Sequence, residues 1–357
     1  MALGLFWATV SLCFFLTIVA LDMMGFFGRK NQFDVDGRTV LITGGSQGMG
    51  RGLAKLLAQK GANVVIVARN EQKLAEALKY IASSAKDPSN QRFHSISADV
   101  TKPEENTRII TEVTEWNNGN PPDIVWANAG SAHPSLFIET PLETLRSQMD
   151  INYWAAAYLA HETLKLWIKP TFGKTSATET AKPRHFLITS SVACFAGLTG
   201  YSPYSVAKSA LRSLADNLRQ EINLYNGYRK GHPSKGPSAD VKIHCVCPGT
   251  ILSLGFEHEE QIKHPATKIL EEGDPRQSED EVASAAVKAL EKGEYLVTTQ
   301  FLGHAMKAGM MGGSPRSSPL VETLLTWAAS VFWLFEGPKM DGKIFEYGQK
   351  NEVELPE

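Results

Sequence analysis

The sequence has little cysteine, almost no net charge and no pattern of metal ligands. Its 357 residues include four cysteines, which form no C-x-x-C pair and no metal-binding spacing. We therefore expect buried free thiols, a reducing compartment and no metal ion. The net charge of -2 gives no reason to expect a nucleic acid or an acidic substrate as a partner. The cysteines are Cys13, Cys194, Cys245 and Cys247.

Charged residues are also absent from the first part of the chain. Ala2 to Leu21 is a run of 20 residues without a charge, and a helix of that length spans ~30 Å, the thickness of a bilayer core. No Lys or Arg precedes this run, whereas Arg29 and Lys30 follow it. The pattern favours a signal anchor over a cleaved secretory signal, with the rest of the chain in the cytosol. We therefore predict a membrane anchor with its basic flank at residues 1–30.

From Thr39 onwards, apolar runs of strand length alternate with amphipathic helices. This order predicts a parallel sheet covered by helices on both faces, a doubly wound α/β domain of the Rossmann type. We expect one such domain at residues 31–300 and a C-terminal extension at 301–357. The predicted strands are Thr39–Ile42, Asn63–Ala68, Phe93–Ala98, Asp123–Ala127, Arg184–Thr189, Val241–Val246 and Tyr295–Thr299. The predicted helices are Gly48–Gln59, Glu71–Ser83, Pro103–Trp116, Leu142–Ile168, Ser202–Tyr225 and Glu279–Glu291, the last one capped by Ser278.

Three further stretches do not follow this alternation. Thr171–Pro183 and Arg229–Asp240 are polar and predict mobile surface loops. Pro319–Phe335 is largely apolar, but only 13 of its residues, from Thr323, form a charge-free run. Such a run is short for a membrane span. We therefore favour a membrane contact at about 319–335 over an ordinary packing helix.

A glycine-rich turn, Thr43 to Gly50 (TGGSQGMG), joins the first strand to the first helix. Glycines allow the backbone to approach a pyrophosphate closely, and a helix N-terminus stabilises the phosphate charge. The same turn also matches the G-x-S-x-G pattern of α/β-hydrolases. That alternative is disfavoured because the serine follows the first strand and no histidine stands out downstream. The candidate cofactor-binding residues here are Gly44, Ser46, Gln47, Gly48 and Gly50.

The end of the second strand indicates which dinucleotide binds. NAD sites usually carry an acid at this position, whereas NADP sites carry a cation. Here Arg69 follows the strand and Lys73 lies one helical turn on, with no acid before Glu71. We predict that Ser46, Arg69 and Lys73 surround the 2′-phosphate of NADPH. The alternative is that both cations are solvated charges at a helix start.

Tyr204 and Lys208 lie four residues apart in a predicted helix and therefore share one face. A free tyrosine has a pKa of about 10, and a neighbouring cation lowers it towards the range useful for proton transfer at neutral pH. Ser191 follows a predicted strand 13 residues earlier, and its hydroxyl is suited to hold a carbonyl oxygen. The neighbouring Ser190 is an alternative for that role.

With both patterns in place, the chain resembles the short-chain dehydrogenase/reductase family over about Thr39 to Thr299. The resemblance implies that Ser191 orients a substrate carbonyl and that Tyr204 donates a proton. It also implies that Lys208 lowers the tyrosine pKa and binds the nicotinamide ribose. The remaining motif residues are Asp99 beside the adenine, Asn128 in an N-A-G turn, Asn152 on the proton relay and Thr250 in a P-G motif beside the nicotinamide. Read alone, Asn128 fits a turn cap and Asn152 a polar core residue.

Within the family, the anchor, the two cations Arg69 and Lys73 and the tail Gly303–Pro319 are similar to the branch of fungal 3-ketodihydrosphingosine reductases. That branch implies NADPH-dependent reduction of a long-chain sphingoid ketone for sphingolipid synthesis at the endoplasmic reticulum membrane. Other hydrophobic ketones (steroid, retinal or 3-ketoacyl) and an inactive NADP-binding scaffold stay open as alternatives. By analogy with the family we also expect a homodimer. The residues suited to line an alkyl channel, or else the core, are Leu252, Leu254, Phe256 and Phe301.

Overall fold

The computed structural model describes residues 30–169, 181–232 and 236–350. The predicted anchor, Cys13 and most of the polar stretch Thr171–Pro183 lie outside the described residues.

Seven long strands and their connecting helices build the domain, since apolar runs alternate with amphipathic segments along the chain. The first strand, Thr39–Thr43, is buried at all five positions, as expected for a strand covered on both faces. The strands are β1 (Thr39–Thr43), β2 (Asn63–Ala68), β3 (Phe93–Ser97), β4 (Ile124–Ala127), β5 (Arg184–Thr189), β6 (Val241–Cys247), β7 (Thr250–Ile251), β8 (Arg276–Gln277) and β9 (Leu296–Thr298). The α-helices are α1 (Gly48–Gln59), α2 (Glu71–Ala82), α3 (Pro103–Trp116), α4 (Leu142–Met149), α5 (Ala155–Trp167), α6 (Ser202–Gly231), α7 (Leu254–Ile262), α8 (Pro265–Leu270), α9 (Glu279–Glu291), α10 (Phe301–Gly309) and α11 (Pro319–Lys350).

The main sheet is parallel throughout and has the order β3-β2-β1-β4-β5-β6-β9. One buried apolar cluster lies on each face of it, which confirms the predicted doubly wound α/β fold. The strand order reverses between β1 and β4, and ligands of such sheets bind in the crevice at the carboxyl ends of the strands at this point. The short strands β7 and β8 form a separate parallel pair.

The predicted long helix Leu142–Ile168 is confirmed as uninterrupted helical backbone from Leu142 to Trp167. It contains a π-helical turn, Asp150–Trp154, between α4 and α5, which the sequence did not predict. No proline or glycine marks this turn in the sequence. Asn152 lies in this turn, fully buried, and its side-chain amide donates to the backbone oxygens of Ser131 (2.8 Å) and Gln148 (3.0 Å). Single π-turns inside helices are frequent at functional sites.

The predicted loop Arg229–Asp240 is also wrong at its start, because α6 continues to Gly231. Arg229 is buried, and its guanidinium pairs with the carboxylate of Asp240 at 3.2 Å. The Asn226 side chain bonds to both the N–H and the C=O of Val241, each at 2.9 Å. These bonds extend the helix beyond the point at which its apolar periodicity fades.

The tail after β9 folds back onto α6. Arg212 donates to the carbonyl oxygens of Met310 and Met311, and Ser314 donates to Asp216 at 2.9 Å. Trp333 of α11 packs against the core cluster that includes Leu211. Within the described ranges, the apolar stretches of the helices fall short of what crossing a membrane requires.

Candidate active site

Tyr204, Ser191 and Lys208 meet at the carboxyl ends of the central strands. Ser191 follows β5, accepts a hydrogen bond from the backbone N–H of Ala193 (3.2 Å) and hydrogen-bonds to the Tyr204 hydroxyl. Ser190 points elsewhere, because its hydroxyl is buried and donates to the backbone oxygen of Lys208 at 2.7 Å. Of the two serines, Ser191 is therefore the one beside the tyrosine.

Lys208 lies below the tyrosine ring. Its ammonium donates to the backbone oxygen of Thr189 at 3.0 Å and lies 5.4 Å from the centroid of the Tyr204 ring. Burial lowers the pKa of Lys208 to about 8 and raises the pKa of Tyr204. The predicted lowering of the tyrosine pKa is wrong for this arrangement, since loss of solvation outweighs the hydrogen bond with Ser191, which favours the phenolate. Tyr204 therefore stays a protonated phenol, the form that can give up a proton.

Asn152 and Lys208 lie on either side of Gly130. A Cβ at Gly130 would stand 2.7 Å from Oδ1 of Asn152 and 3.1 Å from Nζ of Lys208. The Asn152 Oδ1 accepts from the Ser131 N–H at 3.2 Å. The π-turn thus brings the asparagine to within reach of the lysine, with a glycine keeping the space between them open.

A cleft of about 500 Å³ extends from Tyr204 to the glycine turn. Gly44 and Gly48 adopt positive φ angles of 68° and 57°, which favour glycine. A Cβ at Gly50 would lie 2.2 Å from the backbone oxygen of Gly44. Gly50 therefore serves the close packing of α1 on the turn. The predicted residues that line the cleft are Gly44, Ser46, Gln47, Gly48, Arg69, Lys73, Asp99, Asn128, Ser191, Tyr204, Lys208 and Thr250; Gly50 and Asn152 stand behind it.

Arg69 and Lys73 line the end of this cleft that lies where β2 ends and α2 begins. Lys73 donates to the Gln47 side chain at 3.4 Å. Burial alone would raise the pKa of Asp99, but hydrogen bonds from Thr101 and the charge of Arg69 lower it overall. The carboxylate at the predicted adenine position is therefore ionised, and two cations line the same cleft, Arg69 near Asp99 and Lys73 near the glycine turn.

Glu279 is a part of this region that sequence reasoning missed. Its carboxylate accepts from the Gly48 N–H (2.8 Å) and pairs with Arg51 (2.9 Å), although 231 residues separate it from Gly48. A Cβ at Gly52 would clash with the backbone oxygen of Glu279 at 2.4 Å. Gly52, a glycine inside α1, is the sequence feature that could have indicated the approach of the Glu279 backbone.

The cleft fits a nicotinamide dinucleotide. The turn has no side chain on Gly44, Gly45 or Gly48, so backbone can approach a pyrophosphate, and α1 begins there. Cations are available for a phosphate at one end, and the Tyr204 hydroxyl lies at the other end.

Comparisons with known proteins agree with this geometry. The family model described as short chain dehydrogenase matches residues 38–261. The chain belongs to the short-chain dehydrogenase family. It is 50% identical to a 3-ketodihydrosphingosine reductase of Aspergillus fumigatus, over 96% of this chain and 92% of that protein. It is 40% identical to a second protein of that name from Neurospora crassa, over 92% of this chain and 87% of the other.

A solved structure has the same fold. It is a short-chain dehydrogenase/reductase of Burkholderia phymatum in complex with NAD, with a TM-score of 0.59 and 18% identity, which covers 75% of this chain and 90% of that one. As a member of the short-chain dehydrogenase family, the chain is an oxidoreductase.

The other end of the cleft of this dehydrogenase differs from expectation. Of the four residues predicted to line an alkyl channel, Phe256 does line the cleft, whereas Leu252, Leu254 and Phe301 are exposed. Polar residues that sequence reasoning missed line the cleft together with Phe256. These are Tyr201, His258, Glu259, Glu271 and Asp274. They come from α7 and the segments around it, a region whose position relative to Tyr204 no local pattern reveals.

The described cysteines also lie near the site. Cys194, Cys245 and Cys247 are free and buried, as predicted. Cys247 Sγ is 3.8 Å from the sulfurs of both Cys194 and Cys245. Burial raises the pKa of Cys247, so these thiols act as packing residues beside Lys208.

Proposed function

We propose that the chain is an NADPH-dependent 3-ketodihydrosphingosine reductase, which forms dihydrosphingosine for sphingolipid synthesis. The observation that carries this proposal is the 50% identity with the Aspergillus fumigatus reductase over nearly the full length of both chains. The Tyr204 phenol beside Ser191 in the cleft supports ketone reduction.

The residues of the chain divide the chemistry of carbonyl reduction. NADPH, when bound, supplies the hydride that reaches the carbonyl carbon. Ser191 donates a hydrogen bond to the carbonyl oxygen and holds it at the Tyr204 hydroxyl. Tyr204 then gives its proton to that oxygen as the negative charge develops there.

Lys208 restores the proton that Tyr204 has given up. With a pKa of about 8 it is mostly protonated at neutral pH, and it stabilises the phenolate that the transfer leaves behind. Asn152, on the far side of Gly130, is suited to connect the lysine to solvent through water.

The charges at the end of β2 support NADPH over NADH as the cofactor. Arg69 and Lys73 supply two cations, and no acid stands there to bind a free ribose 2′-hydroxyl. Asp99, which the charge of Arg69 helps to keep ionised, is left for the adenine side.

We also propose that the enzyme is anchored in the endoplasmic reticulum membrane with its catalytic domain in the cytosol. The charge-free run Ala2 to Leu21 and the basic pair after it support an anchor. Exposed apolar side chains on one face of α11 support a second contact at the membrane interface. They recur at helical spacing and are Leu320, Leu324, Trp327, Val331 and Leu334. We further propose a homodimer, with exposed Leu142, Trp154 and Val206 on α4 to α6 as its contact.

One assay tests the activity. Detergent-solubilised full-length protein is given 3-ketodihydrosphingosine with NADPH or NADH, and the product is identified by mass spectrometry. We expect NADPH-dependent formation of dihydrosphingosine and much slower turnover with NADH. Saturable activity on steroid, retinal or 3-ketoacyl substrates without any on the sphingoid ketone would instead support one of the alternative reductases. Binding of NADPH with no turnover of any ketone would support the inactive scaffold.

A further inference from the structure

Glu259 lies on α7, in the same cleft as the reacting groups Ser191 and Tyr204. The helix starts directly after the short strand β7, and Ser253 caps its first turn by accepting from the Phe256 N–H at 3.2 Å. The Glu259 carboxylate lies close enough to the Tyr204 hydroxyl for its charge to raise the pKa of that tyrosine, so it borders the part of the cleft in which a ketone must lie to reach Tyr204.

The neighbours of Glu259 are already paired with a buried cation. Lys263, with 1% of its side chain exposed, binds Glu260 at 2.6 Å and Glu271 at 2.5 Å. Among the described residues Glu259 forms no ion pair of its own. It interacts with the Tyr201 hydroxyl, which also interacts with Glu271.

Tyr201 connects this carboxylate to the catalytic tyrosine. Its ring centroid lies 6.0 Å from that of Tyr204. Burial raises the pKa of Tyr201, so its hydroxyl stays protonated and donates to the carboxylates. Lys263 lies over the Phe256 ring at 5.2 Å and is bound by Glu260 and Glu271, so its charge acts on Glu259 from a distance and without an ion pair. Arg276 lies over the same ring at 4.9 Å.

Burial raises the pKa of Glu259 to about 7. The charge of Lys263 offsets this only in part, and a desolvated carboxylate gains from a positively charged ligand because that ligand stabilises the ionised form. His258 is the basic group that lines this end of the cleft, and it is exposed. The end as a whole is thus suited to a cation beside the reacting carbonyl.

The proposed substrate carries such a cation. A 3-keto sphingoid base has an amino group on the carbon next to its ketone, and this group is an ammonium when protonated. Steroids, retinal and 3-ketoacyl compounds lack it. Resting on the proposed function, we propose that Glu259 binds the ammonium next to the ketone and thereby selects amino ketones over other long-chain ketones.

Two substrates and three variants test this role. Full-length enzyme in detergent is given 3-ketodihydrosphingosine or 1-hydroxyoctadecan-3-one, which has the same chain and no amine. The variant Glu259→Gln removes the charge, Glu259→Asp keeps it, and Glu257→Gln removes an exposed charge from the same helix. The kcat/KM of each pair is measured by NADPH oxidation, and NADPH affinity and the thermal midpoint report on folding.

We expect Glu259→Gln to lower kcat/KM for the amino ketone about 10- to 100-fold, the worth of one charge-assisted hydrogen bond. The loss should be mainly in KM, with the amine-free ketone unaffected. Glu259→Asp should retain much of the preference, and Glu257→Gln all of it. Equal losses on both substrates, or no loss on either, would overturn the role of Glu259. A wild-type enzyme that does not reduce the amino ketone at all would instead overturn the proposed function, and the role of Glu259 with it.

Discussion

Two regions of the domain are held in place by different interactions. One is the glycine turn with strands β1 to β4, and the other is the tail that follows β9. The first region is held by backbone ladders and by glycines that allow close contacts, such as Gly50 against the Gly44 oxygen. The tail packs Trp333 on the core and is also held by individual polar side chains. Lys307 is buried and binds Glu322 at 3.0 Å, and Asp216 accepts from Ser314. Backbone ladders tolerate changes of side chain, whereas a buried charge depends on the few groups that pair with it.

The catalytic tyrosine lies between these regions, and its loss should disturb neither of them. Tyr204→Phe removes the proton donor, and we expect turnover to fall by about 10²- to 10⁴-fold, the usual contribution of a positioned acid. NADPH affinity, measured by fluorescence titration, should stay unchanged because the glycine turn and Arg69 are intact. Tyr225→Phe, on the exposed part of α6, is the control. A matching loss of NADPH affinity in Tyr204→Phe would contradict the expectation that this tyrosine serves turnover and not cofactor binding.

Breaking the buried ion pair between Lys307 and Glu322 should destabilise the tail. Lys307→Met leaves the Glu322 carboxylate buried without its cation, which costs about 3–5 kcal/mol. Urea unfolding in detergent measures the loss. The double variant Lys307→Met/Glu322→Leu should recover most of it, since the carboxylate closest to Lys307 is then removed and Glu294 lies farther from the lysine nitrogen, at 3.9 Å. Lys339→Met, which breaks an exposed pair with Glu336, should cost less than about 1 kcal/mol. Equal costs for the two lysines would show that the tail is not held by its buried pair.

A side chain at a glycine of the turn region should destabilise the fold by steric crowding. A Cβ at Gly50 would lie 2.2 Å from the Gly44 oxygen and 2.7 Å from Nδ2 of Asn128. We expect Gly50→Ala to cost about 1–3 kcal/mol of stability, as overpacking does, and to weaken NADPH binding. Gly227→Ala is a matched helical control with open space around it, and it should stabilise by up to about 1 kcal/mol. Tolerance of both changes would contradict the close packing.

Cofactor preference is a smaller effect within the first region. Arg69→Ala should lower kcat/KM for NADPH about 10- to 100-fold while leaving NADH almost unchanged, because it removes one charge-assisted contact to a phosphate. Lys79→Ala, on the exposed side of α2, should change neither value. Parallel losses with both dinucleotides would assign Arg69 a structural role.

The same contrast explains how much the sequence predicts. The bounds of α1, β2, α3 and α9 match their prediction because apolar periodicity, proline and caps are local signals. The capping box at Ser278 is one such signal that the structure confirms. The π-turn at Asn152 was missed because it depends on hydrogen bonds to Ser131, 21 residues away in the chain.

The residues of the candidate site were likewise predicted where a local pattern marks them and missed where only packing places them. The motif residues along the cleft could be predicted because each follows a strand end or occupies one face of a helix. Glu279 and Glu259 could not, since a carboxylate on a surface-like helix has the same local sequence whether it points to solvent or into a cleft. Only the packing of α9 on α1, and of α7 over Tyr201, distinguishes them.

A buried histidine pair at the join of β5, β6 and β9 gives the smallest predicted effect. His185 Nδ1 and His244 Nε2 lie 3.0 Å apart, and His244 Nδ1 donates to the Glu294 oxygen at 2.9 Å. Burial lowers the pKa of His244 to about 4 and also lowers that of His185. The unfolded chain, with histidine pKa values near 6.5, therefore binds more protons than the folded chain as pH falls below that value.

Stability should then decrease as pH falls from 6.5 towards 4, and it should be complete above 6.5. For His244 alone we expect about 1 kcal/mol less stability at pH 5.5 than at pH 7, from ~1.4 kcal/mol per unit of pH below the unfolded pKa. Thermal midpoints at the two pH values measure it. The double variant His185→Phe/His244→Leu should show a smaller difference in thermal midpoint between the two pH values than wild type, because neither ring is left to take up a proton. His232→Gln, at an exposed position, should show the same difference as wild type. An unchanged difference in the double variant would mean that carboxylates elsewhere, and not this pair, set the acid limit of the fold.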